Sequence, residues 1–172
     1  MKVLLAYASK HGSTEEIAQV IARELTASGL SVDLRRASNV ETVDRYDAVI
    51  LGSAIYMGQW QSDATAMIDK HESALQERDV WLFSSGPIGE DPFPKEDPPL
   101  TADLVERTGA HAHQSFTGRL ERGSLEFGER LIATAVRAPQ GDFRDWEAIR
   151  DWARQVAVAL NEKTNLTVPK AE

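Results

Sequence analysis

Three short, largely apolar runs constrain the fold of this chain most strongly, because each ends abruptly in small or hydroxyl-bearing residues. The runs are Val3–Ala8, Asp47–Ser53 and Val80–Ser85. A short apolar run that is bounded by a turn is typical of a strand covered on both faces. We therefore predict three buried strands that belong to one parallel sheet.

Segments with helical periodicity alternate with these strands. Apolar residues recur at helical spacing in five predicted helices, at 13–28, 63–76, 100–108, 123–136 and 146–160. Two more polar strands are predicted at 30–34 and 111–120. Strands that alternate with helices imply right-handed crossovers and a parallel sheet with helices on both faces. The predicted fold class is α/β, a doubly wound five-stranded parallel sheet.

Length and composition disfavour several classes of function. The 172 residues suit one domain, predicted at 1–163, with a frayed tail at 164–172. A net charge of −8 provides no basic stripe for nucleic acid. Because there is no cysteine, redox chemistry would need a bound cofactor. No apolar stretch reaches the roughly 18 residues of a membrane span, and no leader pattern is present. We expect a cytoplasmic protein without stable membrane insertion.

The segments that follow the three buried strands are the predicted binding region, because ligands of parallel α/β sheets bind at the carboxyl ends of the strands. These segments are 9–14, 52–58 and 84–87. The first leads directly into a predicted helix, so its backbone N–H groups and the helix dipole can bind an anion such as a phosphate monoester. The sequence contains neither G-x-G-x-x-G nor G-x-x-x-x-G-K-[ST], which disfavours NAD and ATP.

The segment Ser9-Lys10-His11-Gly12-Ser13-Thr14 resembles the phosphate loop of the flavodoxin family, whose pattern is [ST]-x-[ST]-G-x-[ST]. One difference is His11, which stands where a hydroxyl residue is usual. The resemblance extends from Lys2 to about Leu160. It implies the strand order 2-1-3-4-5 and an FMN cofactor at the switch point between the first and third strands.

The resemblance also implies which residues bind FMN. The phosphate is expected to lie in a loop formed by Ser9, Lys10, His11, Gly12, Ser13 and Thr14. The isoalloxazine ring is expected against a second loop formed by Ser53, Ala54, Ile55, Tyr56, Met57 and Gly58. Its pyrimidine edge is expected against a third loop formed by Ser85, Gly86, Pro87, Ile88 and Gly89. At least one of Tyr56 and Trp60 is expected to stack on the ring, with Tyr56 favoured.

Two functions follow from this resemblance. The first is electron transfer by an FMN protein between redox partner proteins or to a small redox substrate. The alternative comes from the similarity of Ala54-Ile55-Tyr56-Met57-Gly58 and Asp145-Trp146-Glu147 to the flavodoxin-type menaquinone-dependent protoporphyrinogen dehydrogenases. It implies an oxidoreductase of haem biosynthesis that passes hydride from a porphyrinogen to FMN and then to a quinone or another acceptor. The sequence does not decide whether the protein is an enzyme.

Other functions receive less support. An FMN-dependent quinone reductase with a nicotinamide donor stays open. A receiver-type signalling domain is disfavoured, since Ser9 and Ser53 stand where Mg²⁺ ligands and a phospho-acceptor would be needed.

The remaining polar and aromatic residues are expected to be structural. No metal site and no catalytic residue are predicted, because the histidines lack metal-ligand spacing. Trp81 is expected in the core, and Trp146 and Trp152 in helix packing. Surface ion pairing is predicted for five arginines, namely Arg119, Arg122, Arg130, Arg137 and Arg144.

Overall fold

The protein contains one central sheet with helices on both faces. The computed structural model describes residues 1–56, 58–86, 100–120 and 140–167, the last of these with side chains to residue 164. The strands are β1 Lys2–Ala8, β2 Ser31–Arg36, β3 Ala48–Tyr56, β4 Gln59–Trp60, β5 Asp79–Ser85, β6 Ala112–Phe116, β7 Arg119–Leu120 and β8 Gly141–Asp142. The α-helices are α1 Ser13–Ala27, α2 Ser62–Gln76, α3 Leu100–Thr108 and α4 Trp146–Thr167, and a 3-10 turn covers Ala37–Asn39.

The sheet confirms the predicted fold class. Its parallel strands are arranged in the order β2-β1-β3-β5-β6. When only these five long strands are counted, the order is the predicted 2-1-3-4-5. The sheet differs from the prediction by a sixth strand, the short β4, which pairs antiparallel with the end of β3. A separate two-stranded ribbon is formed by β7 and β8.

Each face of the sheet has its own apolar core. Alternate side chains of β1, β3 and β5 point to opposite faces, so residues such as Leu5 and Ile50 pack beneath α1 and α4. Residues such as Leu4 and Leu82 pack beneath α2 and α3. Because both faces are covered, the strands are apolar along most of their length, which explains the runs seen in the sequence.

Strands β3 and β5 make a close contact in the core beneath α1 and α4. Gly52 in β3 pairs in register with Phe83 in β5. A Cβ atom on Gly52 would lie 2.0 Å from Cζ of Phe83. The Phe83 ring also packs edge-on against Trp152, with ring centroids 6.0 Å apart. The predicted core position of Trp81 is confirmed, since its side chain is buried, and Trp152, which was predicted in helix packing, is buried where α4 packs on the sheet.

Several predicted boundaries need correction. Strand β3 continues to Tyr56, because β5 and β4 both pair with its end, so Ala54, Ile55 and Tyr56 are strand residues. The strand predicted at 111–120 ends at Phe116.

The carboxyl-terminal helix is longer than predicted. Helix α4 continues to Thr167, beyond the end predicted at 160, so residues 164–167 of the predicted tail are helical. Asn161 donates a hydrogen bond to the Ser28 carbonyl at 3.2 Å, which holds this extension against the end of α1. The helix predicted at 123–136 and residues 168–172 lie outside the described residues. No helix in the described part of the chain is both long and apolar enough to cross a membrane.

Candidate functional site

The described parts of the three predicted loops meet at the carboxyl edge of the sheet. Ala8, Ser53 and Ser84 are paired in register on neighbouring strands. Near this row, Ser13 Oγ lies 3.4 Å from Ser85 Oγ, which joins the start of α1 to the end of β5. The sheet therefore brings the predicted phosphate loop beside the other two segments.

The turn between β1 and α1 is built around Gly12. Gly12 is the N-cap of α1 with φ of 83°, a left-handed conformation that favours glycine. Its N–H donates to Ser9 Oγ at 3.0 Å, and its carbonyl accepts from the N–H of Glu16 at 3.0 Å. Ser9 thus holds the turn, and no side chain caps the helix. The first N–H groups of α1 consequently have no acceptor within the helix.

Thr14 adds a buried donor to the same turn. Its side chain is fully buried, and its Oγ1 atom has no hydrogen-bond partner within the described part of the chain. A buried hydroxyl without a partner costs about 1–3 kcal/mol. An anion bound at the helix start would accept this hydrogen bond and remove the cost. The turn therefore fits a phosphate monoester, with Thr14 and the N–H groups of the first helical turn as donors.

Most serines at this edge hydrogen-bond within the protein. Ser53 Oγ accepts from the N–H of Gln61 at 2.9 Å and donates to the Ala54 carbonyl at 3.0 Å. Ser84 Oγ lies 3.2 Å from Ser115 Oγ, which also bonds to the Gly86 carbonyl at 3.2 Å. These hydroxyls hold the second and third loops in place. The sequence pattern alone did not separate this role from ligand binding.

The two candidate aromatic residues have different environments. Tyr56 is half-buried, and the Lys10 ammonium lies 4.6 Å from its ring centroid. Trp60 is only 5% exposed and packs in the core on the α2 side of the sheet. Of these two residues, Tyr56 is therefore the one that remains accessible for stacking at this edge.

The other predicted loop residues are only partly described. Gly58 is exposed with φ of 74°, and Gly86 is buried and donates its N–H to the Phe116 carbonyl at 2.9 Å. Met57, Pro87, Ile88 and Gly89 lie outside the described residues.

Arg144, beside the turn between β1 and α1, is buried and not at the surface as predicted. The Arg144 side chain is only 2% exposed. Its Nη1 donates to Glu16 at 2.9 Å, and its Nε and Nη2 donate to Asp142 at 2.7 and 2.6 Å. The ring of Trp146 covers the guanidinium at 4.3 Å. Surface pairing is therefore wrong for Arg144, because two carboxylates compensate for its burial. Arg122, Arg130 and Arg137 lie outside the described residues.

The electrostatics of this cluster agree with its geometry. The hydrogen bonds from Arg144 hold the pKa of Asp142 below its usual value, although burial opposes this effect. Burial alone would lower the pKa of Arg144, but the hydrogen bonds to Asp142 and Glu16 outweigh it and raise that pKa. Asp142 and Arg144 are thus both charged at neutral pH.

His11 belongs to the turn between β1 and α1, whereas His71 lies in α2, His113 in β6 and His111 directly before β6. His111 Nε2 lies 2.6 Å from Asp79 Oδ1, and Lys163 pairs with the same carboxylate. Burial raises the pKa of Asp79, yet the hydrogen bonds from Lys163 and His111 outweigh it and lower that pKa. Among the described residues, no cluster of three or more acidic, histidine or cysteine side chains could hold a metal ion.

The fold and the turn define an α/β protein whose first helix begins without a side-chain cap at the switch point between β1 and β3, a geometry that suits an anionic ligand. Comparison with known families specifies the class further. Residues 4–146 match the family model of the flavodoxin domain. The chain therefore belongs to the flavodoxin family, and the cofactor implied by this family is a flavin.

Three individual proteins resemble the chain at low sequence identity. The protoporphyrinogen IX dehydrogenase [quinone] of Escherichia coli strain K12 is 22% identical over 181 residues, which cover 95% of this chain and 99% of the relative. A flavodoxin from the domain Archaea has a TM-score of 0.64 at 15% identity, covering 94% of this chain and 99% of that chain. Rubredoxin oxygen:oxidoreductase of Desulfovibrio gigas has a TM-score of 0.66 at 18% identity, covering 97% of this chain and 37% of that chain.

Proposed function

We propose that this protein binds FMN and transfers electrons between redox partners. The observation that carries the proposal is the N-terminal turn of α1, which has no side-chain cap and in which the fully buried Thr14 hydroxyl lacks a partner among the described residues. This turn lies at the end of β1, beside β3, where a flavodoxin fold places its cofactor. The family membership of the chain supports a flavin, and the turn supports a flavin that carries a phosphate.

The chain's own residues would have separate tasks at this site. The N–H groups of Ser13, Thr14 and Glu15, together with the Thr14 hydroxyl, would bind the phosphate. Tyr56 and Ile55 would provide an aromatic and an apolar surface for the ring and would exclude water from it. Bound FMN supplies the one-electron or two-electron chemistry, whereas the protein binds and orients the cofactor.

The second candidate function is a protoporphyrinogen dehydrogenase. The supporting observation is the match to the Escherichia coli relative, which spans 95% of this chain and 99% of that protein. In this case FMN would accept hydride from a porphyrinogen and pass electrons to a quinone. The two functions share the same cofactor site and differ in the electron donor and acceptor.

Spectroscopy tests the cofactor and separates the two functions. The purified protein, reconstituted with FMN, should show the visible absorption of a bound flavin. Oxidation of protoporphyrinogen IX with a quinone as acceptor would favour the dehydrogenase. Reduction by a partner protein without activity on the porphyrinogen would favour the electron carrier. A colourless protein that does not bind added FMN would refute both functions.

A pair of isosteric variants tests the phosphate turn. Thr14→Val removes a hydroxyl without a partner among the described residues, so the apoprotein should keep its stability, while the dissociation constant for FMN rises about tenfold. Thr108 is an equally buried control, but its hydroxyl donates to the Leu104 carbonyl at 2.6 Å. Thr108→Val should lower stability by about 1 kcal/mol and leave FMN affinity unchanged. Equal losses of FMN affinity in both variants would contradict the assignment of the phosphate.

A further inference from the structure

The first turn of α1 carries two carboxylates beside the groups proposed to bind phosphate. Glu15 and Glu16 follow directly after Thr14 and lie in the first turn of the helix. Negative side chains at this position stabilise the helix through its dipole. They also repel a phosphate dianion that binds to the same turn. Tight binding of FMN therefore requires that these charges be neutralised.

The structure neutralises both carboxylates with arginines from other parts of the chain. Glu15 pairs with Arg36 of β2 at 2.7 Å. Glu16 pairs with Arg119 of β7 at 2.9 Å and with Arg144 at 2.9 Å. The Arg36 side chain is 54% exposed and that of Arg119 is 22% exposed, whereas Arg144 is almost fully buried. The pair with Arg144 is therefore the one least weakened by solvent and salt.

Arg144 also connects the first turn of α1 to the ribbon of β7 and β8. Its Nη1 lies 3.4 Å from the carbonyl oxygen of Ser13, while Asp142 in β8 binds the opposite side of the guanidinium. The ring of Trp146 covers one face of the guanidinium. A buried guanidinium with these partners has little freedom to move. It holds both Glu16 and the Ser13 carbonyl on the side of the turn that faces the ribbon of β7 and β8.

We propose that Arg144 is a positioning residue for the flavin phosphate, which acts by neutralising Glu16 and holding the Ser13 peptide so that the first turn of α1 can accept a dianion. This inference rests on the proposed function. Arg144 makes no direct contact with the ligand in this role. It determines how strongly the turn prefers a flavin with a phosphate over the same flavin without one.

The test compares FMN with riboflavin, which shares the ring but lacks the phosphate. Both dissociation constants are measured by quenching of flavin fluorescence on titration with apoprotein. In Arg144→Met, we expect the FMN constant to rise at least tenfold and the riboflavin constant to change less than twofold. A purely structural defect would weaken both ligands alike, so the ratio of the two constants is the informative quantity.

A second substitution tests the electrostatic part of the inference. Glu16→Gln removes the carboxylate that Arg144 neutralises. The double variant Glu16→Gln with Arg144→Met should therefore recover most of the FMN affinity lost in the single variant. Arg107→Met is the matched control, because Arg107 also pairs with two carboxylates but joins α2 to α3. It should leave the ratio of FMN to riboflavin affinity unchanged.

Several outcomes would overturn the inference. They are an equal loss for both flavins in Arg144→Met, no recovery in the double variant, or the same change of ratio in Arg107→Met. If Arg144→Met does not fold, Glu16→Gln alone tests the same pair, because it removes the carboxylate beside the phosphate and leaves Arg144 in place. FMN should then bind more tightly relative to riboflavin, and an unchanged ratio would contradict the inference. If the wild-type protein binds riboflavin and FMN equally, the phosphate site itself is wrong. If it binds neither, the proposed function fails.

Discussion

Substitution of Gly12 by alanine separates backbone geometry from side-chain contacts at the phosphate turn. Gly12 has φ of 83°, and a Cβ atom placed there would meet nothing within 4 Å. The alanine therefore causes no clash, and its cost is conformational. A non-glycine residue in the left-handed region costs about 1–2 kcal/mol. We expect Gly12→Ala to lower the free energy of unfolding by about 1 kcal/mol, as measured by urea denaturation.

The same helix provides a matched control at its other end. Gly29 follows the C-terminus of α1 with φ of 88°, and a Cβ atom at this position would likewise meet nothing within 4 Å. Gly29→Ala should therefore cost the same stability as Gly12→Ala, but far from the phosphate turn. Only Gly12→Ala should weaken FMN binding. When the alanine leaves its strained left-handed conformation, the N–H groups of the turn before α1 would point away from the phosphate.

The size of the effect on FMN follows from the strain. If the free turn of Gly12→Ala leaves the left-handed conformation, FMN must restore it, and this costs about 1–2 kcal/mol of binding free energy. The dissociation constant then rises about 5- to 30-fold. Fluorescence titration of FMN into both alanine variants measures this change. The reasoning is refuted if Gly29→Ala weakens FMN as much as Gly12→Ala does, or if Gly12→Ala binds FMN like the wild type.

Two further predictions concern stability. Gly52→Ala places a Cβ atom 2.0 Å from the buried Phe83 ring. It should therefore lower the free energy of unfolding by about 1–3 kcal/mol, as measured by urea denaturation. A neutral effect would contradict the pairing of β3 with β5. The Tyr46 hydroxyl donates to Asp33 at 2.6 Å and is the main cause that lowers the pKa of Asp33. Stability from a lowered carboxyl pKa is present above the unfolded value of about 4 and is lost as the pH falls through the folded value. Tyr46→Phe should therefore be about 1–2 kcal/mol less stable than wild type at pH 7, and this difference in unfolding free energy should shrink below pH 4. A difference that is constant with pH would refute the hydrogen bond to Asp33 as its cause.

Much of the fold could be predicted from local sequence patterns. The apolar runs and the helical periodicity identified the parallel sheet, because burial on both faces forces strands such as Val3–Ala8 to be apolar throughout. The boundaries were less predictable. Strand β3 extends to Tyr56 only because Gln59 and Trp60 fold back to pair with it, and such pairing leaves little trace in hydrophobic periodicity.

The candidate site could be predicted only where it is local in sequence. The turn from Ser9 to Thr14 is one continuous segment, so its glycine, its hydroxyls and the following helix are visible together. The environment of Arg144 was not predictable in this way, because its partner Glu16 is 128 residues away. An arginine between Asp142 and Trp146 looks like an ordinary surface residue until the tertiary structure brings the helix start against it.

The division of hydrogen bonds at the sheet edge determines how this site can discriminate between ligands. Ser53, Ser84 and Ser115 bond to partners inside the protein, so their hydroxyls stabilise the loops around the site. Among the described residues at this edge, the first turn of α1, with Thr14, carries donors without a partner, and so does Trp60, whose Nε1 is buried in the core on the α2 side of the sheet. The ring end of a flavin would therefore meet mainly apolar and aromatic side chains such as Tyr56. Because polar discrimination is concentrated in one turn, substitutions there should change the preference for a phosphate, whereas changes near Tyr56 should affect FMN and riboflavin alike.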